Sequence, residues 1–195
     1  MAERTGERTD TRARIQDVAL ELFTEQGYEA TSLREIAERL GVTKAALYYH
    51  FKSKEEIVSS FVEDGMKRVE AILEWLRGQP RAPETWREFL RRYAAELYES
   101  NHFRTMRFFE QNQASLREQP SALKMRGHMM AMLELLAGAD ATATDRLRCA
   151  VSVFALHTSS FVLSEPGLTD EDRREAALTV AYDLVDRAGA ARVTR

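Results

Sequence analysis

The segment from Thr31 to Lys54 carries residue types that bind phosphate. It holds five cations against two anions, so its formal charge is +3, whereas the whole chain of 195 residues carries −3. The remainder of the chain therefore carries −6 (−3 minus +3). A basic segment on an acidic body is typical of a protein of which one end meets a polyanion. The cations of the segment are Arg34, Arg39, Lys44, Lys52 and Lys54.

Two short helices joined by a tight turn are predicted to position these groups. Ser32 and Glu35 have the spacing of a capping box that begins a helix, and Gly41 supplies the positive φ that ends it. Thr43 caps a second helix that runs to about Phe51. This arrangement is a helix-turn-helix, whose second helix fits the major groove of DNA. Its predicted core comprises Leu33, Ile36, Ala37, Leu40, Val42 and Leu47.

Helical periodicity continues through the rest of the chain, without the alternation of a strand. It predicts an all-α fold of about nine helices, with an N-terminal three-helix head and a C-terminal helical bundle. Asp10 or Thr11 is expected to cap the first helix, which Gly27 ends. A long fourth helix is expected between Ser53 and Gly78. The later helices are predicted at about residues 84–100, 103–115, 121–136, 144–163 and 169–188.

Composition and motifs exclude several classes of protein. Hydrophobic residues make up 44% and charged residues 30%, as in a globular domain. The lone Cys149 excludes a disulfide framework and a multi-cysteine zinc site. The absence of a long apolar run and of a signal-peptide pattern predicts a cytoplasmic protein with no membrane span. Catalytic, metal-ligand and glycine-rich phosphate motifs are missing, so we expect no enzyme activity, no cofactor and no metal.

An aromatic run followed by lysine is the most specific motif of the chain. The run follows an apolar first helix and two turns that contain glycine. The residues of this combined pattern are Leu22-Phe23, Gly27-Tyr28, Thr31, Ile36-Ala37, Gly41-Val42-Thr43, Leu47-Tyr48-Tyr49-His50-Phe51, Lys52 and Lys54. In these residues the first 55 positions resemble the DNA-binding domain of the TetR family of bacterial regulators. The remainder resembles the family in length and helical character. The resemblance implies a DNA-binding domain over residues 1–55 and a ligand-binding and dimerisation domain over residues 56–195.

The resemblance also implies roles for individual positions. The opening of the second motif helix, with one arginine before it, faces base edges, and the aromatic and flanking positions contact the DNA backbone. Arg or Lys can read guanine bidentately, and hydroxyl groups and histidine suit phosphate oxygens. The implied base-facing residues are Arg34, Thr43, Lys44, Ala45 and Ala46. The implied backbone-contacting residues are Thr31, Tyr48, Tyr49, His50 and Lys54.

The middle helices are rich in bulky, soft side chains. They are explained either by a plain core or by a cavity in which methionine adapts to flat apolar molecules. The resemblance favours the cavity, because the family's second domain typically holds an inducer between its middle helices. The predicted ligand-binding residues are Trp86, Phe89, Tyr93, Phe103, Met106, Phe109, Gln113, Met125, His128, Met129, Phe154 and His157.

The last two helices carry small apolar residues at helical spacing, which predicts a four-helix bundle between two subunits. A single helix-turn-helix covers one half-site, so a palindromic operator needs a dimer. We therefore expect a homodimeric regulator of the TetR type, a repressor that leaves its double-stranded DNA operator when a small apolar or aromatic effector fills the cavity. Two alternatives stay open at this point. One is a cavity-based carrier or enzyme that retains a DNA-binding head, and the other is a helical dimer that acts through protein partners.

Overall fold

The computed structural model describes residues 3–99, 104–105, 108–109, 112 and 120–193. Over these residues the regular structure is helical and contains no strand, which confirms the all-α fold. Most of the helix predicted over residues 103–115 lies outside them. The helices are α1 (Glu3–Gln26), α2 (Leu33–Leu40), α3 (Lys44–His50), α4 (Lys54–Arg77), α5 (Pro83–Glu99), α6 (Pro120–Ala137), α7 (Ala143–Val162) and α8 (Asp170–Val193).

The chain divides into two compact units. The head unit comprises residues 1–65 and 104–124, and the body unit comprises residues 66–103 and 125–195. Helix α4 contributes residues to both units. The boundary between residues 55 and 56, which the family resemblance implies, stays a prediction.

Short-range hydrogen bonds begin and end the helices of the head unit. The Ser32 hydroxyl accepts a hydrogen bond from the Glu35 N–H, and the Glu35 carboxylate accepts one from the Ser32 N–H. Gly41 ends α2 at a φ of 73°, and the Thr43 hydroxyl accepts from the Ala46 N–H at 3.2 Å to begin α3. These contacts confirm the predicted helix-turn-helix.

The predicted start of α1 at Asp10 or Thr11 is wrong, because the helix begins at Glu3. Residues 3–10 are rich in Glu and Arg, which favour a helix, so the capping types at positions 10 and 11 do not interrupt it. At the other end of the chain, α8 continues past the expected end near residue 188 to Val193. Both differences lengthen a helix beyond its amphipathic part.

The core of the body unit is formed mainly by α5, α7 and α8, with residues of α4 and α6. Phe89 and Leu97 of α5, Leu156 of α7, and Ala181 and Val185 of α8 are fully buried. Small residues on α8 let the neighbouring helices approach closely. Among the described residues, we find no helix that is long and apolar enough to cross a membrane.

Candidate nucleic-acid interface

Helix α3 presents one face to solvent and one to the core of the head unit. Leu47 of α3 and the following Phe51 are fully buried, and Ile36 of α2 is buried too. These apolar anchors fix the rotation of α3 about its axis. The opening of the helix is exposed, and it carries the predicted base-facing residues Thr43, Lys44, Ala45 and Ala46.

Lys44 is the cation at the opening of α3. Its Nζ lies 5.4 Å from the centre of the Tyr48 ring, so ammonium and ring lie one turn apart on the same side of the helix. The charge on this exposed face stays available to a base edge or a phosphate.

The aromatic run behind Lys44 is partly exposed. Tyr49 is 61% exposed and meets the His50 ring edge to face, with ring centres 5.2 Å apart. Tyr48 is half-buried, and its backbone carbonyl accepts a hydrogen bond from the Lys52 ammonium. The Tyr49 ring therefore lies on a surface that it shares with His50, whereas Tyr48 is more enclosed.

Arg34 projects from α2 into solvent, where its Nε donates a hydrogen bond to Glu38 Oε1 at 2.7 Å. This hydrogen bond and the charge of Glu38 raise the pKa of Arg34. An ion pair this exposed is weak, because water and salt screen both charges. A base or phosphate can therefore compete with Glu38 for the guanidinium group.

Thr31 and Lys54 hold the loop between α1 and α2. Thr31 is buried, and its hydroxyl donates a hydrogen bond to the Gly27 carbonyl at 2.8 Å. Lys54 Nζ donates to the Tyr28 carbonyl at 2.6 Å. The structure thus gives both side chains partners inside the head unit, and it does not group them with the exposed face of α3.

Three predicted ligand residues lie together in the body unit. Trp86, Phe89 and Tyr93 are buried along α5, and the Phe89 and Tyr93 rings stack at 5.8 Å. Tyr93 Oη lies 2.9 Å from His157 Nε2 of α7. Burial lowers the pKa of His157 to about 4 and raises the pKa of Tyr93, so the pair is uncharged near neutral pH.

A second group of predicted ligand residues lies on α6. Met125 and Met129 are half-buried there. His128 Nε2 is buried without a hydrogen-bond partner among the residues that the structure describes, and Glu70 Oε2 of α4 lies 3.8 Å from it. An unsatisfied buried nitrogen of this kind favours a polar ligand atom or an ordered water.

Of the remaining predicted ligand residues, the structure describes Phe109 and Phe154. Phe109 belongs to the head unit, where it packs on Phe108 with ring centres 5.3 Å apart. Phe154 of α7 is 46% exposed. Phe103, Met106 and Gln113 lie outside the described residues.

An outer apolar surface runs along α7 and α8. Exposed apolar side chains of this size cluster at interaction sites on soluble proteins. Phe161 is the most exposed of them, at 81%. We call this set the outer surface: Leu147, Val151, Phe154, Phe161, Val162 and Val180.

Sequence reasoning did not single out two residues of the head unit, Phe108 and Asn112. Phe108 is fully buried against the rings of Phe23 and Tyr28. The sequence pattern that marks this segment is the adjacent pair Phe108-Phe109, and such a pair is equally expected in the core of the head unit or of the body unit. Their importance comes from contacts between segments about 80 residues apart.

The first part of the chain matches known regulatory proteins in sequence. The family model described as bacterial regulatory proteins, tetR family, matches residues 15–61. Over 64 residues the chain is 50% identical to the HTH-type transcriptional regulator AcrR of Shigella flexneri, covering 32% of this chain and 30% of that protein. Over 73 residues it is 37% identical to the tetracycline repressor protein class C of Escherichia coli, covering 37% of this chain and 31% of that protein. The matches thus span about a third of the length of these relatives.

Solved structures match most of the chain. The TetR family transcriptional regulator PfmR from Thermus thermophilus superposes with a TM-score of 0.62 at 27% identity, covering 88% of this chain and 93% of that one. A transcriptional regulator from Aquifex aeolicus superposes with a TM-score of 0.64 at 23% identity, covering 87% and 96%. The second likeness concerns the fold alone. Together the two structures extend the similarity from the head to the helices that follow it.

Proposed function

We propose a function from one premise: the chain belongs to the TetR family of bacterial regulatory proteins. It is a transcriptional regulator that binds a DNA operator through α3. The observation that carries this proposal is the exposed opening of α3, with Lys44 at its centre, in a segment of charge +3 within residues 15–61. Its relatives include a protein named as a repressor, which supports repression as the outcome. Its partner, bacterial DNA, gives it a cytoplasmic location.

Replacement of Lys44 tests the DNA contact. A duplex selected from a random library by the wild-type protein serves as the operator. Lys44→Ala is expected to weaken discrimination between this duplex and single-base variants of it by roughly 5- to 150-fold at the affected position, because one bidentate base contact is worth about 1–3 kcal/mol. The matched control is Lys124→Ala, an exposed lysine of α6. Unchanged discrimination by Lys44→Ala would remove Lys44 from base recognition.

The outer surface supports a homodimer. A monomer would expose Phe161 and its apolar neighbours to water, whereas a second copy packed across a two-fold axis would bury the same surface from both sides. Two heads are also required for the two half-sites of a palindromic operator. Helices α7 and α8 of each subunit would then form a four-helix bundle.

A charge placed on the outer surface tests the dimer. Phe161→Glu would bury an unpaired carboxylate in the interface, so we expect a monomer in sedimentation equilibrium and loss of tight operator binding. Leu123→Glu is the matched control, since Leu123 is an exposed leucine of α6 outside that surface. A Phe161→Glu protein that remains dimeric would show that the interface lies elsewhere.

An effector site is proposed in the body unit. The stacked Phe89 and Tyr93 rings offer apolar contact, and the uncharged Tyr93–His157 pair offers a polar anchor without a net charge. This chemistry suits a small aromatic or apolar molecule. Because α4 contributes residues to both units, a ligand that favours one arrangement of α4 would change the spacing of the two heads. The expected coupling is about 1–3 kcal/mol.

Titration of candidate effectors into the protein–operator complex tests this coupling. A ligand that binds the body unit is expected to weaken operator binding by about 5- to 150-fold, which is the range that this coupling energy gives. Tyr93→Phe should weaken the response if the polar anchor contacts the ligand. Ligands that bind tightly and leave operator affinity unchanged would rule out release by this route.

A further inference from the structure

A second segment of the chain completes the core of the head unit. Phe108 has no exposed surface, although it lies far along the chain from α1–α4. Its ring centre is 5.3 Å from that of Phe23 in α1, 6.0 Å from Tyr28 in the α1–α2 loop and 6.4 Å from Phe61 in α4. Phe108 therefore contacts three parts of the head unit, which are α1, the α1–α2 loop and α4.

Asn112 ties the same segment to the backbone of the loop. Its Oδ1 accepts a hydrogen bond from the Tyr28 N–H at 3.4 Å, and its Nδ2 donates to the Phe108 carbonyl at 2.8 Å. The amide thus bridges the Phe108 backbone and the α1–α2 loop. The loop leads directly to Ser32, the residue that caps α2.

Residue Tyr28 is held from the other side by the first turn of α4. Lys54 Nζ donates to the Tyr28 carbonyl at 2.6 Å and lies 4.5 Å from the centre of the Tyr28 ring. The Tyr28 hydroxyl donates to Glu55 Oε1 at 2.9 Å. The position of Tyr28 therefore depends on Asn112 and Phe108 on one side and determines where Lys54 is anchored on the other.

We propose that Phe108 and Asn112 are positioning residues for DNA binding, which act through Tyr28 on Lys54 and the start of α4. This inference rests on the proposed function, because it assigns a role in operator binding to residues that lie outside the helix-turn-helix. They set the α1–α2 loop, and with it the approach of α2 and α4 to the DNA backbone. Both residues belong to the DNA-binding machinery without touching DNA.

Hydrogen exchange without DNA tests the contact itself. Asn112→Ala removes the acceptor of the Tyr28 N–H, so exchange of the Tyr28 amide is expected to be at least about five-fold faster, as for the loss of one hydrogen bond. Asn112→Asp keeps an acceptor for the Tyr28 N–H but replaces the donor to the Phe108 carbonyl with a second acceptor, so it is expected to recover only part of the protection. Equal exchange in the wild type and Asn112→Ala would overturn the proposal.

A double-mutant cycle tests the route to DNA. With a duplex selected by the wild-type protein, Asn112→Ala is expected to weaken binding about five-fold. In a Lys54→Ala background the further loss should shrink to less than about two-fold, whereas in a Lys44→Ala background it should remain about five-fold. The fraction of protein competent to bind should stay unchanged, which separates positioning from partial unfolding.

The outcomes separate this inference from the proposed function. Equal losses in the Lys54→Ala and Lys44→Ala backgrounds would overturn the positioning role while DNA binding stands. A wild-type protein that selects no duplex would overturn the proposed function, and the DNA part of this inference with it. Full affinity of Asn112→Ala in every background would also overturn the positioning role.

Discussion

Acidification tests the burial of His157. Burial lowers the pKa of this residue from 6.5 to about 4, and the ring lies beside the Tyr93 hydroxyl. Below pH 6.5 the unfolded chain binds a proton at this position that the folded chain excludes. Because the folded pKa is the lower one, the stabilisation is complete above pH 6.5 and is lost as the pH falls towards 4.

The expected size of the loss follows from the two pKa values. They differ by 2.5 (6.5 minus 4), which corresponds to about 3.4 kcal/mol at 1.36 kcal/mol per pKa unit. Relative to pH 7, the free energy of unfolding should be lower by about 2 kcal/mol at pH 5 and by about 3 kcal/mol at pH 4 from this residue alone. A loss of this size is a large part of the stability of an ordinary domain.

Urea denaturation at pH 7, 6, 5 and 4, at one fixed protein concentration, measures the effect. The comparison protein is His157→Gln, which has no titrating group at this position, so carboxylates that titrate in both proteins cancel. The difference between the two unfolding free energies should change by about 3 kcal/mol from pH 7 to pH 4. Tyr93→Phe should keep the pH dependence, because the cause is burial. Parallel curves for the wild type and His157→Gln would refute the reasoning.

Two further predictions concern the head unit. The φ of Gly41 is +73°, which strains any residue that carries a Cβ, and an added Cβ would meet nothing within 4 Å. Gly41→Ala should therefore lower the free energy of unfolding by about 1 kcal/mol through backbone strain alone. In thermal denaturation Gly78→Ala is the comparison, since its added Cβ would make an ordinary contact with the Trp75 carbonyl at 3.6 Å; an equal change in both would contradict the strain argument. Thr43→Ala should cost about 1 kcal/mol by removing the cap of α3, and Thr43→Ser should restore it. A Thr43→Ala protein as stable as the wild type would mean that water replaces the cap.

Patterns that act over a few residues were readable from the sequence. Ser32, Glu35 and Gly41 begin and end α2 through contacts with their near neighbours, so residue type and spacing were sufficient to predict them. The same holds for Thr43 at the start of α3. The exposed face of α3 followed from the same periodicity, because the apolar positions of a short amphipathic helix point inward.

Contacts between distant segments were not readable in the same way. Phe108 and Tyr28 are 80 positions apart (108 minus 28), and nothing local to either residue specifies that their rings meet. Thr31 matches a position implied to contact DNA, yet its hydroxyl is used inside the fold by Gly27. The aromatic side chain of Phe154 is of a type usually found in a core, yet it is 46% exposed. Its exposure was not predictable, because helical periodicity does not tell which apolar face of a helix is covered within one subunit.

The two-part construction of the head unit has a consequence for biosynthesis. Residues 1–65 leave the ribosome well before Phe108 is synthesised. During this interval Phe23 and Tyr28 lack the Phe108 ring that packs on them in the folded protein. Completion of the core of the head unit is therefore coupled to translation of a much later stretch of the message. A transcript truncated between these points yields a product with an unfilled aromatic core, which is a natural substrate for chaperones and proteases.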